Sequence, residues 1–582
     1  MDRFFDKHSH VCPKPPNTGS SPAGRELPLD NSEQAREISN ESRNEWLRAL
    51  GTHQARKWIA ARPLKRPKVL NPRWKSTRAC VERLLLRRRE VVTSEANSVP
   101  EQQRWIQDNV RFLRSTLKEV RDAFKSLRDL PGVQPSPGQD EIVPRVYQIA
   151  HSVLVAERFK FEEEALGEYV TGVQQVAALE IGELQALKPL LQLALLEELG
   201  IAGEKFMAVP ASGDSSPEIH PNLPSTIITS LRDISEMGWK EFFEANCVVD
   251  HILRSDPSGA YPWMDFESRE LYRNAVSELA RHTKLSETEV AKGAILCARK
   301  AKERKWGVNQ RATDRRSSAG YYLMDHGSLK LKRVIGYRPS LAKRIGDLIL
   351  GWPEVYYVAG VELTTLVAVF LLLWHLGTVI PLIPGLLLLI PASQAAVGLM
   401  NQLTVRFVRP RRLPRLDFSG GIPDEFSTLV VVPSLLLNEK EVRHIVEALE
   451  VRYLGNRDPN LHFALLTDSP DASEPTDEHD GLVALCSSLI EQLNEKYAHD
   501  RRGGFFHLHR HRIYNPQENR WMGWERKRGK LLDLNKLILG KEDNFPVKVG
   551  DLSILPRVRY VITLDSDTRL PRETAYKLVG AL

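Results

Sequence analysis

Two aspartates lie one residue apart near the end of the 582-residue chain, at Asp565 and Asp567. They follow the apolar run Tyr560–Leu564, which is typical of a β-strand. Ligands of open α/β sheets bind at the carboxyl ends of the strands, and two carboxylates placed there can share one Mg²⁺ or Mn²⁺ ion. Such an ion can bridge the diphosphate of a nucleotide-sugar and neutralise the leaving group. The alternative interpretation is a strand end capped by solvated turn residues. The residues that precede the aspartates decide between a metal site and such a turn.

Three further groups of residues precede the aspartates in an order that suits a nucleotide diphosphate. Pro433 and Glu439 bound a polar segment after an apolar run, where a base and ribose could be held. Asp468 ends a second apolar run and could accept hydrogen bonds from uracil or ribose. Arg528 and Lys530 lie at the start of a helical pattern, where cations and free backbone amides can hold phosphate. Together with the aspartate pair, this order predicts a nucleotide-sugar site.

The elements that must position these residues alternate between strands and helices. Apolar runs that predict strands cover residues 429–432, 461–467, 504–508 and 559–564. Helical patterns cover residues 439–453, 481–497 and 529–539. This alternation is typical of an α/β fold with a doubly wound, parallel sheet.

Two long apolar segments precede the α/β part and predict a transmembrane helical hairpin. Residues 355–376 would span about 33 Å as a helix, enough for a bilayer core of roughly 30 Å. Residues 378–400 carry no charge, and their three prolines predict a kink or a partly re-entrant segment. Two buried core helices are the alternative. Basic residues flank the pair on both outer sides and Gly377 connects it, which predicts that both ends lie in the cytoplasm. Glu362, inside the first segment, is expected to face other helices.

Composition adds limits on function and location. The net charge of +7, from 81 basic and 74 acidic residues, gives no support for nucleic-acid binding. Basic runs near the N-terminus are interpreted as solvated helix faces. Five dispersed cysteines without metal-ligand spacing indicate a reducing compartment, and the N-terminus lacks the apolar region of a signal peptide.

The patterns together predict a multidomain chain whose N-terminal region is α-helical. The predicted divisions are a disordered tail (1–55), a helical domain (56–210), a second helical domain (211–350), the transmembrane hairpin (351–403) and the α/β domain (404–582). Ser286 and Glu289 have the spacing of a capping box at the start of a helix. The polar and aromatic residues of the segment 261–269 could line a site, with a packed loop as the alternative.

The order strand-Pro…Asn-Glu, strand-Asp, Arg-Gly-Lys-x-x-x-Leu-Asn, strand-Asp-x-Asp resembles the inverting GT-A glycosyltransferases of the cellulose- and hyaluronan-synthase type. Longer strings resemble the cyclic β-1,2-glucan synthases more closely. The strings of the transferase part are GWERKRGKL at 523–531 and YVITLDSDTRLP at 560–571. Those of the N-terminal part run from 144–147 to 181–184, and from 256–266 to 320–322. The resemblance therefore covers residues from about 140 to the end of the chain.

The resemblance implies a membrane-bound, UDP-glucose-dependent transferase that builds β-1,2-glucan with inversion. Asp468 would contact the uridine, Arg528 and Lys530 the diphosphate, and Asp565 and Asp567 would hold Mg²⁺ or Mn²⁺. The growing glucan chain and membrane lipid would be its partners. It would be a multi-pass protein of the bacterial inner membrane, with its N-terminus and transferase domain in the cytoplasm.

The resemblance also implies that a tyrosine carries the growing glucan. Tyr497 and Tyr514 are the candidates, with ordinary packed or surface tyrosines as the alternative. The family places its catalytic base and a Gln-x-x-Arg-Trp motif well downstream of Asp-x-Asp, whereas this chain ends 15 residues after Asp567. Glu573 is too close to the metal strand to resemble that base. We therefore expect an N-terminal fragment with an incomplete sheet and no catalytic base. It would be inactive alone and act with downstream cyclising and phosphorylase-like domains.

Two other functions fit the same patterns. One is a non-catalytic, membrane-anchored scaffold or regulator with a degenerate transferase domain, for which nucleotide-sugar affinity without turnover would be the signature. The other is a processive synthase that makes a different polysaccharide, since the linkage depends on how the acceptor lies over the donor.

Overall fold

The computed structural model describes most of the chain from residue 33 onward. The described residues are 33–58, 62–63, 70–86, 101–127, 130–133, 142–208, 222–304, 310–377, 382–408, 410, 412–475, 480–500 and 504–581. They form two compact units, one of Met1–Ser258 with Tyr272–Pro339 and one of Gly259–Leu271 with Ser340–Leu582. Each unit is described by itself.

The first unit is helical. Its helices are α1 Glu33–Arg56, α2 Leu70–Leu86, α3 Glu101–Asp108, α4 Val110–Ser126, α5 Arg145–Ala156, α6 Glu163–Gln174, α7 Ile181–Ala208, α8 Leu223–Glu236, α9 Trp239–Asn246, α10 Val248–Leu253, α11 Phe266–Ala280, α12 Glu287–Glu303, α13 Gln310–Arg316, α14 Ala319–Met324 and α15 Ser328–Val334; α11 begins in the second unit. The short strands β1 Arg62–Pro63, β2 Pro131–Val133 and β3 Val143–Pro144 pair antiparallel in sequence order.

The prediction of a disordered tail over residues 1–55 is wrong from residue 33 onward, because α1 forms there and packs on α6. Leu47, Gly51 and Ala55 recur every fourth residue, and Leu47 and Ala55 are buried. The two helices approach closely, since a Cβ added at Gly51 would lie 2.3 Å from the carbonyl oxygen of Tyr169. A narrow stripe of small and apolar residues, together with the ion pair of Arg48 and Glu168, therefore packs α1 on α6. Residues 1–32 lie outside the described residues.

The two predicted helical domains, 56–210 and 211–350, do not separate into two bodies at residue 210. Helices α7 and α8, on either side of that boundary, pack against each other within one unit. The boundary itself, 209–221, falls outside the described residues. The predicted capping box is confirmed, because Ser286 and Glu289 each accept a hydrogen bond from the other's backbone amide at the start of α12.

The segment 261–269 belongs to the second unit and is a packed loop there. The guanidinium Nε of Arg415 donates to Asp265 at 2.5 Å, and the backbone amide of Arg415 donates to Ser268. Arg269 donates to the carbonyl oxygens of Pro262 and Met264. These contacts favour the packed loop over a site in this segment.

Two long apolar helices follow α16 (Leu341–Gly351), namely α17 Pro353–Leu376 and α18 Leu382–Phe407. They pack side by side, with Tyr357 donating to Asn401 at 2.8 Å and Gly360 against Met400. Gly377 ends α17 with a φ of +59°, a conformation that glycine adopts without steric cost. By length and composition both helices could cross a membrane. Their exposed apolar side chains include Leu363, Leu366, Phe370, Leu371, Trp374, Ile383, Leu386, Leu387 and Ile390.

The α/β part of the second unit is built on a five-stranded sheet. The strands of the α/β part are β4 Thr428–Leu435, β5 Leu461–Asp468, β6 Phe505–His509, β7 Ile513–Asn515, β8 Arg520–Met522, β9 Val547–Val549 and β10 Tyr560–Thr563, and its helices are α19 Glu439–Gly455, α20 Asp480–Lys496, α21 Arg526–Ile538 and α22 Thr574–Ala581. The order of the sheet is β10-β4-β5-β6-β9.

Alternating strand residues bury both faces of this sheet. Val430 and Val432 of β4 point into one core with the apolar sides of α19 and α20. Leu429 and Val431 point into the other core with Leu534 of α21. A sheet covered on both faces requires continuous apolar runs, which is why the four predicted strands could be located from the sequence.

The expected parallel sheet needs one correction. β10, β4, β5 and β6 are parallel as predicted, but β9 pairs antiparallel with β6, so the sheet is mixed. The hairpin of β7 and β8 is a further addition, and it is joined to the main sheet region by backbone hydrogen bonds between Ala472 and Trp521. The hairpin is joined to the chain just after the carboxyl end of β5, whereas β9 is the edge strand opposite to β10.

Candidate functional site

The two aspartates lie in an exposed loop directly after β10. The backbone amide of Leu564 donates to Val431, which extends the pairing of β10 with β4 up to Asp565. The chain then turns, with the amide of Thr568 donating to the carbonyl oxygen of Asp565 at 3.0 Å. Because β10, β4 and β5 are parallel, Asp565 and Asp567 lie on the same side of the sheet as the carboxyl end of β5. This side, where the parallel strands end, is called the donor edge.

Asp468 ends β5 at this edge and is 2% exposed. Its carboxylate accepts two hydrogen bonds from Arg510, both of 3.1 Å, and the ammonium of Lys530 lies 3.3 Å away. Arg510 also donates to Asp533 at 3.0 Å, and Lys530 donates to the carbonyl oxygen of Ser434 at 2.6 Å. Burial lowers the pKa of Lys530, and the charge of Asp468 opposes that shift. Two carboxylates and two cations thus form a buried charge cluster under the edge of the sheet.

Two glycines of the segment 523–529 allow the chain to pass close to this cluster. A Cβ at Gly523 would lie 2.7 Å from the carboxylate of Asp468. A Cβ at Gly529 would lie 2.6 Å from a guanidinium nitrogen of Arg510 and 2.1 Å from the carbonyl oxygen of Trp524. The glycine of the Arg-Gly-Lys string is therefore required by close packing against buried charge.

The start of α21 presents cations toward the aspartate loop. Glu525 precedes the helix with a φ of +43°, and its side chain does not cap the first turn. The ammonium of Lys527 contacts the carboxylate of Asp565, which links α21 to the loop after β10. Arg528 is exposed and pairs with Glu525 at 3.1 Å, while Arg526 pairs with Asp471 at 2.9 Å.

Pro433 and Glu439 lie on either side of the segment 434–438, which contains the end of β4 and the turn before α19. Pro433 lies within β4, paired with Leu466 of β5, and Glu439 is the exposed first residue of α19. Asn438 caps that helix by accepting a hydrogen bond from the amide of Glu441 at 2.9 Å. The segment between them supplies the Ser434 carbonyl oxygen that holds Lys530.

A buried chain of polar side chains, which sequence reasoning missed, runs behind the charge cluster. Thr467 hydrogen-bonds to His507 at 2.8 Å and to His509 at 2.9 Å, and Ser487 hydrogen-bonds to His507 at 2.9 Å. Burial, with His509 adding to it, lowers the pKa of His507 to about 3. The alternation of the two histidines along β6, followed by Arg510, was the signal that could have indicated a polar strand end.

The two candidate tyrosines lie at different ends of the sheet. Tyr514 is on β7, opposite Trp521, in the hairpin joined to the chain just after Asp468. The ring of Tyr497 packs 5.9 Å from that of Phe505, the first residue of β6, and its hydroxyl donates to Glu450 at 2.6 Å. At ~3.3 Å per residue, the length of β6 separates the amino ends of the strands from their carboxyl ends by roughly 16 Å.

The oxygen ligands at the aspartate loop suit a cation that a substrate helps to hold. Asp565 and Asp567 offer two exposed carboxylates, and the described residues contain no group of three or more metal-ligating side chains. Mg²⁺ in proteins is typically bound by one or two carboxylates together with substrate phosphates and water. The residues present therefore fit a divalent ion shared with a diphosphate.

The comparisons with known proteins agree with the motifs. The chain is 30% identical over 622 aligned positions to the cyclic beta-(1,2)-glucan synthase NdvB of Rhizobium meliloti (strain 1021). The alignment covers 92% of the chain and 22% of that protein, so the chain spans about a fifth of the length of this relative. No protein-family profile matches the chain. The resemblance to glucan synthases that the motifs indicate is therefore confirmed over the aligned region.

Proposed function

We propose that the second unit binds a nucleotide-sugar, UDP-glucose, as the donor site of a GT-A-type glucosyltransferase that builds β-1,2-glucan. One observation carries this proposal. The exposed aspartate pair, the buried Asp468 and the cationic start of α21 meet at one edge of the sheet, where the contact of Lys527 with Asp565 joins two of them. That edge is where α/β sheets bind their ligands.

Each group at this edge is assigned a part of the donor. Asp468, fixed by Arg510, is proposed to contact the uridine. The exposed Arg528 and the start of α21, which no side chain caps, suit the diphosphate. Lys530 is proposed as a second phosphate contact, and it would exchange its bond to the Ser434 carbonyl for one to phosphate.

The divalent ion, held by Asp565 and Asp567, would neutralise charge on the departing diphosphate. The residues of this chain bind and orient the donor and keep Asp468, Arg510 and Lys530 away from water. The inverting transfer itself requires a general base at the acceptor hydroxyl. We assign that role to no residue of this chain.

A membrane location is proposed for α17 and α18, on the evidence of their apolar exposed faces. Lipid would cover these faces, and the basic residues on the two outer flanks support the proposal that both ends of the hairpin lie in the cytoplasm of a bacterial cell. A reporter enzyme that works only in the cytoplasm should be active when it is fused after Arg415. Activity of a periplasmic reporter at this position would contradict the proposed orientation.

A second candidate function is a membrane-anchored regulator that binds nucleotide without turnover. The contact between Lys527 and Asp565 favours it, because an ammonium group at this carboxylate competes with a divalent ion. If metal and UDP displace Lys527, the transferase proposal holds. If UDP binds while Lys527 stays on Asp565, the regulator is the better description.

Equilibrium binding of UDP to the detergent-solubilised chain, with Mn²⁺ or with EDTA, tests the donor site. We expect Mn²⁺ to strengthen binding, and Asp565→Asn or Asp567→Asn to remove most of that gain, because each removes a charged ligand. Asp551→Asn is the matched control, since Asp551 is exposed and caps the turn Leu552–Arg557 before β10. Metal-independent UDP affinity that is equal in all four proteins would contradict the assignment.

For the attachment of glucan, the geometry favours Tyr514 over Tyr497, because Tyr514 lies at the donor edge of the sheet. Peptide mapping of the protein isolated from its host should find hexose on the peptide that contains Tyr514. Hexose confined to the peptide that contains Tyr497 would contradict this choice.

A further inference from the structure

The last turn of α19 holds the loop that carries the two aspartates. The guanidinium of Arg452 donates to the carbonyl oxygen of Ser566 at 2.7 Å and twice to that of Thr568, at 3.1 and 2.8 Å. The Ser566 carbonyl belongs to the peptide unit that joins Ser566 to Asp567, and the Thr568 carbonyl lies just beyond Asp567. Both sides of Asp567 are therefore tied to one side chain.

The same helix also fixes the far end of the loop. Asn456, one turn after Arg452, accepts hydrogen bonds from the amides of Thr574 and Ala575, both of 3.0 Å, and donates to the carbonyl oxygen of Pro571 at 3.1 Å. These bonds set where α22 begins. The loop thus has two anchors on one helix, and only the Arg452 anchor touches the part that bears the carboxylates.

Arg452 is unusual among the buried cations of this unit. It is 5% exposed, and among the residues that the structure describes no carboxylate lies within ion-pairing distance of it. By contrast, Arg510 lies against two carboxylates. Burying a cation without a contacting anion is costly, so its charge is expected to serve a neighbouring group. Burial lowers the pKa of Arg452, and the charge of Asp567 opposes that shift.

We infer that Arg452 is a positioning residue for the proposed metal site, holding the peptide units around Asp567 so that the two aspartates can share one ion. This inference rests on the proposed donor site and assigns Arg452 no contact with substrate. Outer residues that orient metal ligands typically contribute 10- to 100-fold in metal affinity. The expected effect of losing Arg452 is a loss of that size in metal-dependent binding alone.

The test compares UDP affinity with Mn²⁺ and with EDTA in three variants of the full chain. Arg452→Met keeps the length of the side chain and removes its donors, so the gain from Mn²⁺ should fall about 10- to 100-fold while affinity in EDTA stays unchanged. Arg452→Lys can restore one hydrogen bond and should recover part of the gain. Arg443→Met is the matched control, because Arg443 is an exposed residue of the same helix and should behave as wild type.

The outcomes separate the two claims. If wild type shows no gain from Mn²⁺, the donor site is wrong and the inference falls with it. If wild type shows the gain and Asp565→Asn loses it, but Arg452→Met keeps it, only the inference is overturned. An equal loss with Mn²⁺ and with EDTA would mean that Arg452 supports the fold generally, which also overturns it. If Arg452→Met does not fold, the ratio of UDP affinity with Mn²⁺ to UDP affinity with EDTA is measured in Arg452→Lys instead.

Discussion

Replacing Asp468 by asparagine is expected to destabilise the α/β part strongly, although the shape of the side chain is kept. Asp468 is the carboxylate that lies between Arg510 and Lys530. In the variant, Arg510 retains Asp533, whereas Lys530 retains only the carbonyl oxygen of Ser434. An ammonium group would then be buried without a contacting anion.

The magnitude follows from the burial of this cluster. Removing one partner of a buried ion pair typically costs about 3–5 kcal/mol, because the remaining charge stays away from water. Removing one partner of an exposed pair costs about 0–1 kcal/mol. Glu542→Gln is the matched control, since Glu542 pairs with Lys536 on the exposed side of α21 at 2.6 Å. The two substitutions each neutralise one carboxylate of the same unit.

Hydrogen exchange of peptides from β5 and β6 is the suitable assay, because it reports local opening in a chain that has more than one unit. At 1.36 kcal/mol per decade, the expected cost corresponds to about two to four orders of magnitude in the opening equilibrium of these strands. Asp468→Asn combined with Lys530→Met should recover part of the protection, because the unpaired cation is removed as well. If Asp468→Asn exchanges like Glu542→Gln, the buried charge cluster is not a stabilising unit and the reasoning is refuted.

Two further predictions concern the same region. Gly529→Ala should lower the free energy of unfolding in urea by about 1–3 kcal/mol, because its Cβ would lie 2.6 Å from the guanidinium of Arg510. Gly481→Ala, which has open space around it, should leave the free energy of unfolding unchanged. Equal unfolding midpoints for the two variants would contradict this. His507, with a pKa of about 3 in the folded state and an ordinary value of about 6.5 when unfolded, should make stability fall as pH falls from about 6.5 toward 3. The loss between pH 7 and pH 5 should be about 2 kcal/mol, and His507→Asn should remove that share of the pH dependence; an unchanged pH dependence in the variant would contradict it.

The strands that carry the site could be predicted because each is a continuous apolar run buried on both faces. Observed and predicted ends of β4 and β5 differ by only a few residues, since the apolar runs stop where the polar strand ends begin. Strand β9 was missed because it has three half-buried residues, Val547–Val549, and its pairing with β6 depends on tertiary contacts. The helix α1 was missed because its buried stripe is narrow within a polar sequence.

The candidate site could be predicted in outline but not in its contacts. The rule that ligands meet strand ends brought Asp468 and Asp565 to one edge without any knowledge of distances. The sequence could not indicate that Arg510 would lie against Asp468, because the two are 42 residues apart and many other arginines could have taken that place. Nor did spacing indicate that Arg452 would hold the loop, since its acceptors are backbone carbonyl oxygens, which leave no mark in the sequence.

The central claim is that one divalent ion lies between the aspartate pair and a diphosphate. Electron-nuclear double resonance of Mn²⁺ in the presence of UDP tests it most directly, because the spectrum reports which nuclei lie next to the ion. We expect phosphorus coupling from a protein-bound Mn²⁺–UDP complex in wild type and in Asp551→Asn, whereas Asp567→Asn should give the spectrum of free Mn²⁺–UDP. A spectrum that matches free Mn²⁺–UDP in wild type, or one that is unchanged in Asp567→Asn, would contradict the account.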